Sequence, residues 1–286
     1  MELEYIEKWM TDTIENGRGN VIDAETAVSP ECVGVRIFER PLIGVAAADD
    51  PLFTETFRES HVIGPLFRTP EEWLPGAKSV IAFFLPFTEE VRRSNRSRTD
   101  EPYGDGIGNQ RSSSLWLHGR IEGQRFVDAL CLVLCTFFIN DGYHAAAPSL
   151  LPEFRVEGFN SNWSERHIAY AAGLGTFGLS RGLITEKGMA GRFGSVVTDA
   201  ALTPTVRRYD SAFAYCTMCG ACQRRCPAGA IDRERGCAEG KDQQICGAYV
   251  RGSFLQPHGP NGIVCYGCGK CQAGVPCEHG IPKTIR

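Results

Sequence analysis

Leu3, Ile6, Met10 and Ile14 recur at helical spacing ahead of Gly17, which predicts an amphipathic helix over residues 2–15. Two apolar stretches, "GVRIF" (34–38) and "LIGVAAAD" (42–49), then read as strands. The run "SVIAFFLPF" (79–87) has no polar alternation, which predicts a strand buried on both faces. Residues 88–112 are polar and rich in Arg, Ser and Gly, the composition of a long loop. A long helix is expected over about 113–140, stopped by Asp141-Gly142. Strand-like "YHAAAPSL" (143–150), a helix near 164–172, and strand-like "GLIT" (182–185) and "GSVVTDAAL" (194–202) complete the pattern. Strands and helices mixed in this order predict an α+β fold around a mixed sheet. Near residue 205 aliphatic residues give way to Cys, Gly and Arg, so the chain divides into residues 1–204 and 205–286.

Composition narrows the class. With 286 residues, 43% of them hydrophobic, the chain can bury one large core or two unequal ones. A net charge of −4 supplies no global attraction to nucleic acid or anionic lipid, which disfavours both as partners. The Arg-rich stretch "VRRSNRSR" (91–98) is the local exception, suited to a phosphate or to plain solvation. The opening "MELEYIEKWMTDTIENG" has neither a basic leader nor a long apolar run, and no stretch approaches a membrane span, so a soluble, cytoplasmic protein is expected. Of thirteen cysteines, ten fall between residues 216 and 277. Clustered thiols without a secretory leader point to metal rather than to disulfides.

The cysteines are spaced as iron–sulfur ligands. "YCTMCGACQRRCPAG" (215–229) carries Cys216, Cys219, Cys222 and Cys226, the last before a proline. In this C-x2-C-x2-C-x3-C-P pattern the fourth cysteine serves a different cluster from the first three. The partner segment is "CYGCGKCQAGVPC" (265–277), with Cys265, Cys268, Cys271 and Cys277. Crossed ligation follows: Cys216, Cys219 and Cys222 are completed by Cys277, and Cys226 joins Cys268, Cys271 and one more. That last ligand is Cys265 by regular spacing or Cys246 in "ICGAYV", and Cys237 is left over. The competing assignment is a pair of zinc ribbons, against which stand the third cysteine in each group and the proline after Cys226. Cys131 and Cys135, four apart in an apolar helix, read as core residues, and Cys32 has no partner motif.

The stretch "WSERHIAYAAGLGTFGLSRGLITEKGMAGRFGSVVTD" (163–199) places Gly173, Gly175 and Gly178 after a helix. That is the reverse of a dinucleotide fingerprint, in which a strand leads. "ERHIAYAAGLGTFG", "GRFGSVVTD" and the order of the cysteines together resemble the epoxyqueuosine reductases and, more distantly, the reductive dehalogenases, over roughly residues 140–280. The resemblance implies a nitroreductase-like, cobalamin-binding α+β domain followed by a bacterial-type ferredoxin-like domain with two 4Fe-4S clusters. It implies that Ala172, Gly173, Leu174, Gly175 and Gly178 line the corrinoid, with Arg166 at a matching basic position. It also favours Cys246 over Cys265, while spacing alone prefers Cys265. One departure bears on chemistry: where the family carries a catalytic aspartate, the segment "HAAAPSL" has Ala145. The nearby candidates for a proton donor are His144 and Tyr143, with Glu165 and His167 further along.

These observations predict an oxidoreductase, fed by an external low-potential electron donor, acting on a small molecule or modified nucleoside. Two alternatives use the same parts: a protein that reduces or delivers a corrinoid, and an electron carrier. The roughly 200 residues ahead of the cysteines exceed what an electron carrier needs.

Overall fold

The computed structural model describes residues 3–96, 112–252, 256–258, 263–265 and 267–283. Helix α1 (Leu3–Asn16) buries Ile6, Met10 and Ile14, the stripe that the spacing predicts. Strand β1 (Leu42–Ala47) is followed by two single-turn helices, α2 (Pro51–Thr54) and α3 (Pro70–Trp73). Strand β2 (Ser79–Pro86) is buried at every position. Residues 89–96, expected in a loop, form helix α4 (Glu89–Arg96). Its stability comes from i,i+3 and i,i+7 ion pairs rather than from an apolar stripe: Arg92 pairs with Glu89 at 3.1 Å and Arg96 with Glu89 at 2.8 Å. Residues 97–111 of the expected loop lie outside the described residues.

Helix α5 (Ser114–Asn140) is capped by the Ser113 hydroxyl, which accepts from the Trp116 N–H. Next come the short strand β3 (Ala145–Ala146), a small hairpin of β4 (Val156–Glu157) and β5 (Asn160–Ser161), and helix α6 (Glu165–Ala171). A second hairpin pairs β6 (Gly175–Phe177) with β7 (Leu183–Thr185), and the long β8 (Gly191–Thr198) follows. The cysteine-rich segment contributes short helices α7 (Ala221–Arg225) and α8 (Gly236–Glu239), helix α9 (Gln243–Gly252), and strands β9 (Gln256–His258) and β10 (Ile263–Cys265).

The central sheet runs β1-β2-β8-β3. All three of its pairings are antiparallel, so the α+β class stands but the expected mixed sheet is corrected. "GVRIF" makes only isolated bridges, Val21 to Arg36 and Phe38 to Phe87, and "YHAAAPSL" pairs only at Ala145 and Ala146. Alternation along β2 explains its unbroken apolar sequence. Ile81, Phe83 and Leu85 enter a core with α1 and α5, while Val80, Ala82 and Phe84 enter a second core with α6. Gly194 on β8 sits opposite Phe83, where a Cβ would come 2.4 Å from the Phe83 ring and 2.9 Å from Val127 of α5. A glycine there lets α5 lie close on the sheet.

The second cysteine segment is held against the larger layer. Asn95 of α4 donates to the Cys268 carbonyl at 3.0 Å, Ser112 to the Gly267 carbonyl at 2.7 Å, and Arg96 pairs with buried Glu278 at 2.7 Å. From the β7–β8 turn, the Met189 and Ala190 amides donate to the carbonyls of Cys277 and Glu278.

Candidate active site and thiol centres

Cys216, Cys219 and Cys222, from the turn into α7, line one hollow together with Cys277 from the far segment. Leu179, Ile184, Met189, Ile231 and Val275 form the apolar packing around it. Burial, then the charges of Cys222, Cys216 and Cys219, pushes the Cys277 thiol up to about 12. Cys271, Cys226 and Cys246 act on Cys268 by charge, and these four make up the second group of the crossed reading. Burial pushes Cys268 up to about 12, with further contributions from the charges of Cys271, Cys226 and Cys246. The charges acting on Cys277 and on Cys268 come from the partners that the crossed reading gives each, while Cys222 also feels Cys271. Cys246 stands with the second quartet; Cys265 ends β10, and its side chain lies outside the described residues. Cys237, left over by the spacing, stands beside Cys216, its Sγ 3.2 Å from Met218 Sδ. Among the described residues no three Cys, His, Asp or Glu side chains close on a point as ligands of a single ion do.

A cavity of about 670 Å³ opens between α5, α6, β8 and the second cysteine segment. Trp116, Arg120, Gln124 and Asp128 line it from α5, Glu165 and Arg166 from α6, and Arg192 and Phe193 from β8. Gly267, Cys268, Gly269 and Gln272 close it from the cysteine side, so a member of the second thiol group forms part of the cavity wall. Sequence reasoning passed over the α5 residues, although a signal was present. Trp116, Arg120, Gln124 and Asp128 recur every four residues, a polar line on an otherwise apolar helix. Gln124 donates to Asp128 at 2.7 Å and accepts from Arg192.

At the start of α6, Glu165 meets a fixed hydrogen-bond chain. Trp163 is buried between Phe53 and Phe67, with ring centroids at 6.5 and 6.0 Å. Its indole N–H donates to Ser195 Oγ at 2.9 Å, and the Ser195 hydroxyl donates to Glu165 Oε2 at 2.6 Å. Glu165 Oε1 is buried and makes no hydrogen bond of ordinary geometry. Burial pushes the Glu165 carboxyl up to about 7; the Ser195 and Ser149 hydroxyls oppose the rise and Asp128 adds to it.

Most of the predicted corrinoid loop lies apart from the large cavity. Among those residues only Arg166 lines the cavity. Its guanidinium also reaches a second cavity of about 440 Å³ along α6, lined by His167, Tyr170 and Phe177, and donates to the Arg181 carbonyl at 3.2 Å. Ala172, Gly173, Leu174 and Gly175 are spent inside the fold. Gly173, at φ +82°, ends α6 with the Leu174 amide donating to the Ala169 carbonyl and its own amide to Tyr170. A Cβ on Gly175 would stand 2.1 Å from the Ile184 carbonyl oxygen, because β7 pairs directly against it. Gly178 borders the hollow of the first thiol group.

His144 and Tyr143 are also away from the cavity. Pairing of β3 with β8 sets them at the sheet's outer edge, where the 81% exposed His144 side chain meets Asp199 at 2.7 Å. His167 lines the second cavity, with Nδ1 2.8 Å from the Ser164 hydroxyl, and burial pulls its imidazole down to about 3. In "VRRSNRSR", Arg92 is buried against Glu39 and Arg96 pairs with Glu89 and Glu278, so these two serve packing. Arg98 lies outside the described residues.

No family model and no curated protein matches the sequence. Solved structures do match by fold. A selenomethionine-labelled epoxyqueuosine reductase is similar at 18% identity and a TM-score of 0.52, over 99% of this chain and 68% of that one. A catabolic reductive dehalogenase is similar at 14% identity and a TM-score of 0.51, over 83% of this chain. The same dehalogenase in complex with 3-bromo-4-hydroxybenzoic acid matches at 13% identity and a TM-score of 0.51, over 96% of this chain. The aligned region is only 30% and 36% of those two dehalogenase chains. At these identities the likeness is one of fold, and its neighbours are the two groups that the glycine and cysteine motifs resemble.

Proposed function

We propose that the chain is an iron–sulfur, corrinoid-dependent reductase. The observation that carries this reading is Cys268, which belongs to the second thiol group and also forms the wall of the large cavity. Electrons held by that group would be available at the cavity surface without a further relay.

The residues present fit the groups proposed. Two sets of four thiols, one ringed by apolar side chains, suit two 4Fe-4S clusters, with Cys216, Cys219, Cys222 and Cys277 holding one and Cys226, Cys246, Cys268 and Cys271 the other. The cavity's volume, about 670 Å³, is in the range of drug-sized ligand sites, so a corrinoid would fill it and extend through its opening. Arg120, Arg166, Gln124 and Gln272 offer donors to the amides and phosphate of a corrinoid, and Trp116 and Phe193 offer apolar faces. When bound, such a cofactor supplies a low-potential cobalt nucleophile. The chain's part is to position it, exclude water and deliver protons. In this reading residues 1–204 carry most of the cavity and 205–286 the thiols. An external low-potential donor feeds the clusters, and the substrate is a small molecule or modified nucleoside.

Anaerobic reconstitution with iron, sulfide and cob(II)alamin tests it. About eight irons per chain are expected, together with one corrinoid, read by metal analysis and absorption. Cys277→Ser should leave about four irons and keep the corrinoid, whereas Arg166→Ala should keep the iron and weaken corrinoid uptake. Zinc in place of iron sinks the reading, and full iron without corrinoid uptake leaves an electron carrier.

A further inference from the structure

We infer that Glu165 is the proton donor of the large cavity, its acidic proton carried on Oε1. The inference rests on the reductase reading above and adds a group which that reading leaves unassigned.

The hydrogen-bond chain fixes where the proton sits. An indole N–H can only donate, so Ser195 Oγ accepts from Trp163 and must turn its own hydrogen elsewhere. The atom it meets is Glu165 Oε2, at 2.6 Å. Oε2 is therefore an acceptor, and a proton on this carboxyl belongs on Oε1. Oε1 is the buried oxygen without a partner of ordinary geometry, on a residue that lines the cavity. Ionising it would leave a buried charge with its main hydrogen bond on the other oxygen.

Charged and titratable groups face Glu165 from α5, β8, the stretch after β3 and α6 itself. From α5 come Asp128, which repels an ionised Glu165, and Cys131, a thiol that burial pushes well up and that stays neutral. From β8 come the Ser195 hydroxyl and Arg192, which is engaged with Gln124. The stretch after β3 brings the Ser149 hydroxyl, and α6 itself carries Arg166. The first turn of a helix favours an anion by about 0.3–1 kcal/mol. Burial outweighs this, raising the carboxyl from 4.5 to about 7. A carboxyl raised this far can hold its proton close to neutral pH, the range in which a general acid works.

With an aryl bromide probe the C–Br bond breaks, bromide leaves, and two equivalents of titanium(III) citrate supply one electron each. The carbon takes the proton from the Glu165 carboxyl once its side chain turns Oε1 from the buried position to the cavity. The Glu165 carboxylate then recovers a proton from water at the open cavity. Ser195 and Trp163 act as positioning residues.

Two measurements decide the matter. Infrared spectroscopy of reconstituted, corrinoid-free protein should show a protonated carboxyl band that fades as pH rises through about 7 and that Glu165→Gln lacks. With corrinoid loaded, single-turnover reduction of the aryl bromide should fall tenfold per pH unit above that value. Glu165→Gln should be slower by about 100-fold or more and lose this limb, with iron and corrinoid content unchanged. Ser195→Ala removes a hydrogen bond that favours the ionised form, so the limb should move to higher pH, a shift that a purely structural role does not produce. An absent band, or a Glu165→Gln protein with wild-type rate and limb, overturns the assignment alone. Wild type that takes up iron but no corrinoid overturns the reductase reading, and the donor role falls with it.

Discussion

Two residues on one turn of α6 pull the protein's pH response in opposite directions. Glu165 has its carboxyl raised by burial from 4.5 to about 7, so the folded chain holds a proton that the unfolded chain has released. Stability from this source is fully present below 4.5 and is lost as pH rises through about 7, a loss of about 3 kcal/mol. His167 is the reverse case: burial lowers it from 6.5 to about 3, so the unfolded chain binds a proton that the folded chain refuses. Its stability is present above 6.5 and is lost as pH falls toward 3. Where the windows overlap, between 4.5 and 6.5, the two slopes oppose each other. Wild type should therefore vary little in stability across that range, while Glu165→Gln should lose stability on acidification from pH 6.5. Urea titrations at several pH values measure this, and equal slopes in both proteins would contradict it.

Within the α6–β6–β7 unit, glycines set the backbone path. Gly175 faces the Ile184 carbonyl, a backbone atom that cannot rotate away, and a Cβ would lie 2.1 Å from it. Gly175→Ala should cost about 2–3 kcal/mol by forcing the hairpin apart. Gly178→Ala meets the Ile184 Cδ1 at 3.0 Å, a side-chain tip that can yield, and should cost about 1 kcal/mol or less. Chemical denaturation of the two variants separates these outcomes. The same unit shows what was legible in the sequence. Helix α6 and strand β7 lie near the bounds that the pattern predicts, because apolar periodicity is local, whereas the pattern does not predict strand β6. The purpose of the glycines was not legible, because the Gly173 turn and the Gly175 contact depend on where β7 returns. Helix α4 was hidden for a related reason: its ion pairs, and its contact with Glu278, involve charge rather than an apolar stripe. The polar line on α5 was written in plain helical spacing, yet only the arrival of β8 and Cys268 makes it a cavity wall.

At the scale of the whole molecule, the cysteine spacing proposes two thiol groups, but not what keeps the far segment in place. Cys268 and Cys277 lie on one stretch and are proposed for different groups, so in that reading anything that frees this stretch disturbs both. The tie is made largely by α4. Arg96 binds Glu278, whose side chain is only 4% exposed, while Asn95 holds the Cys268 carbonyl and Arg225 reaches the carbonyls of Asn95 and Arg96. The hydrogen bond to Glu278 is the largest influence holding the Arg96 guanidinium above its ordinary pKa. Arg96→Ala leaves a buried carboxylate without its cation, a loss of about 3–5 kcal/mol for a fully buried pair. Arg96 itself is 33% exposed, so solvent screening reduces the expected cost, to about 2 kcal/mol. Because the broken contact holds the shared stretch, iron should leave both groups together when a chelator is added to Arg96→Ala protein. Cys277→Ser removes a ligand from the first group alone, so the iron it retains should leave no faster than from wild type. Time courses of iron release compare the variants directly, and loss of only one cluster's iron from Arg96→Ala would show that α4 does not secure the shared stretch.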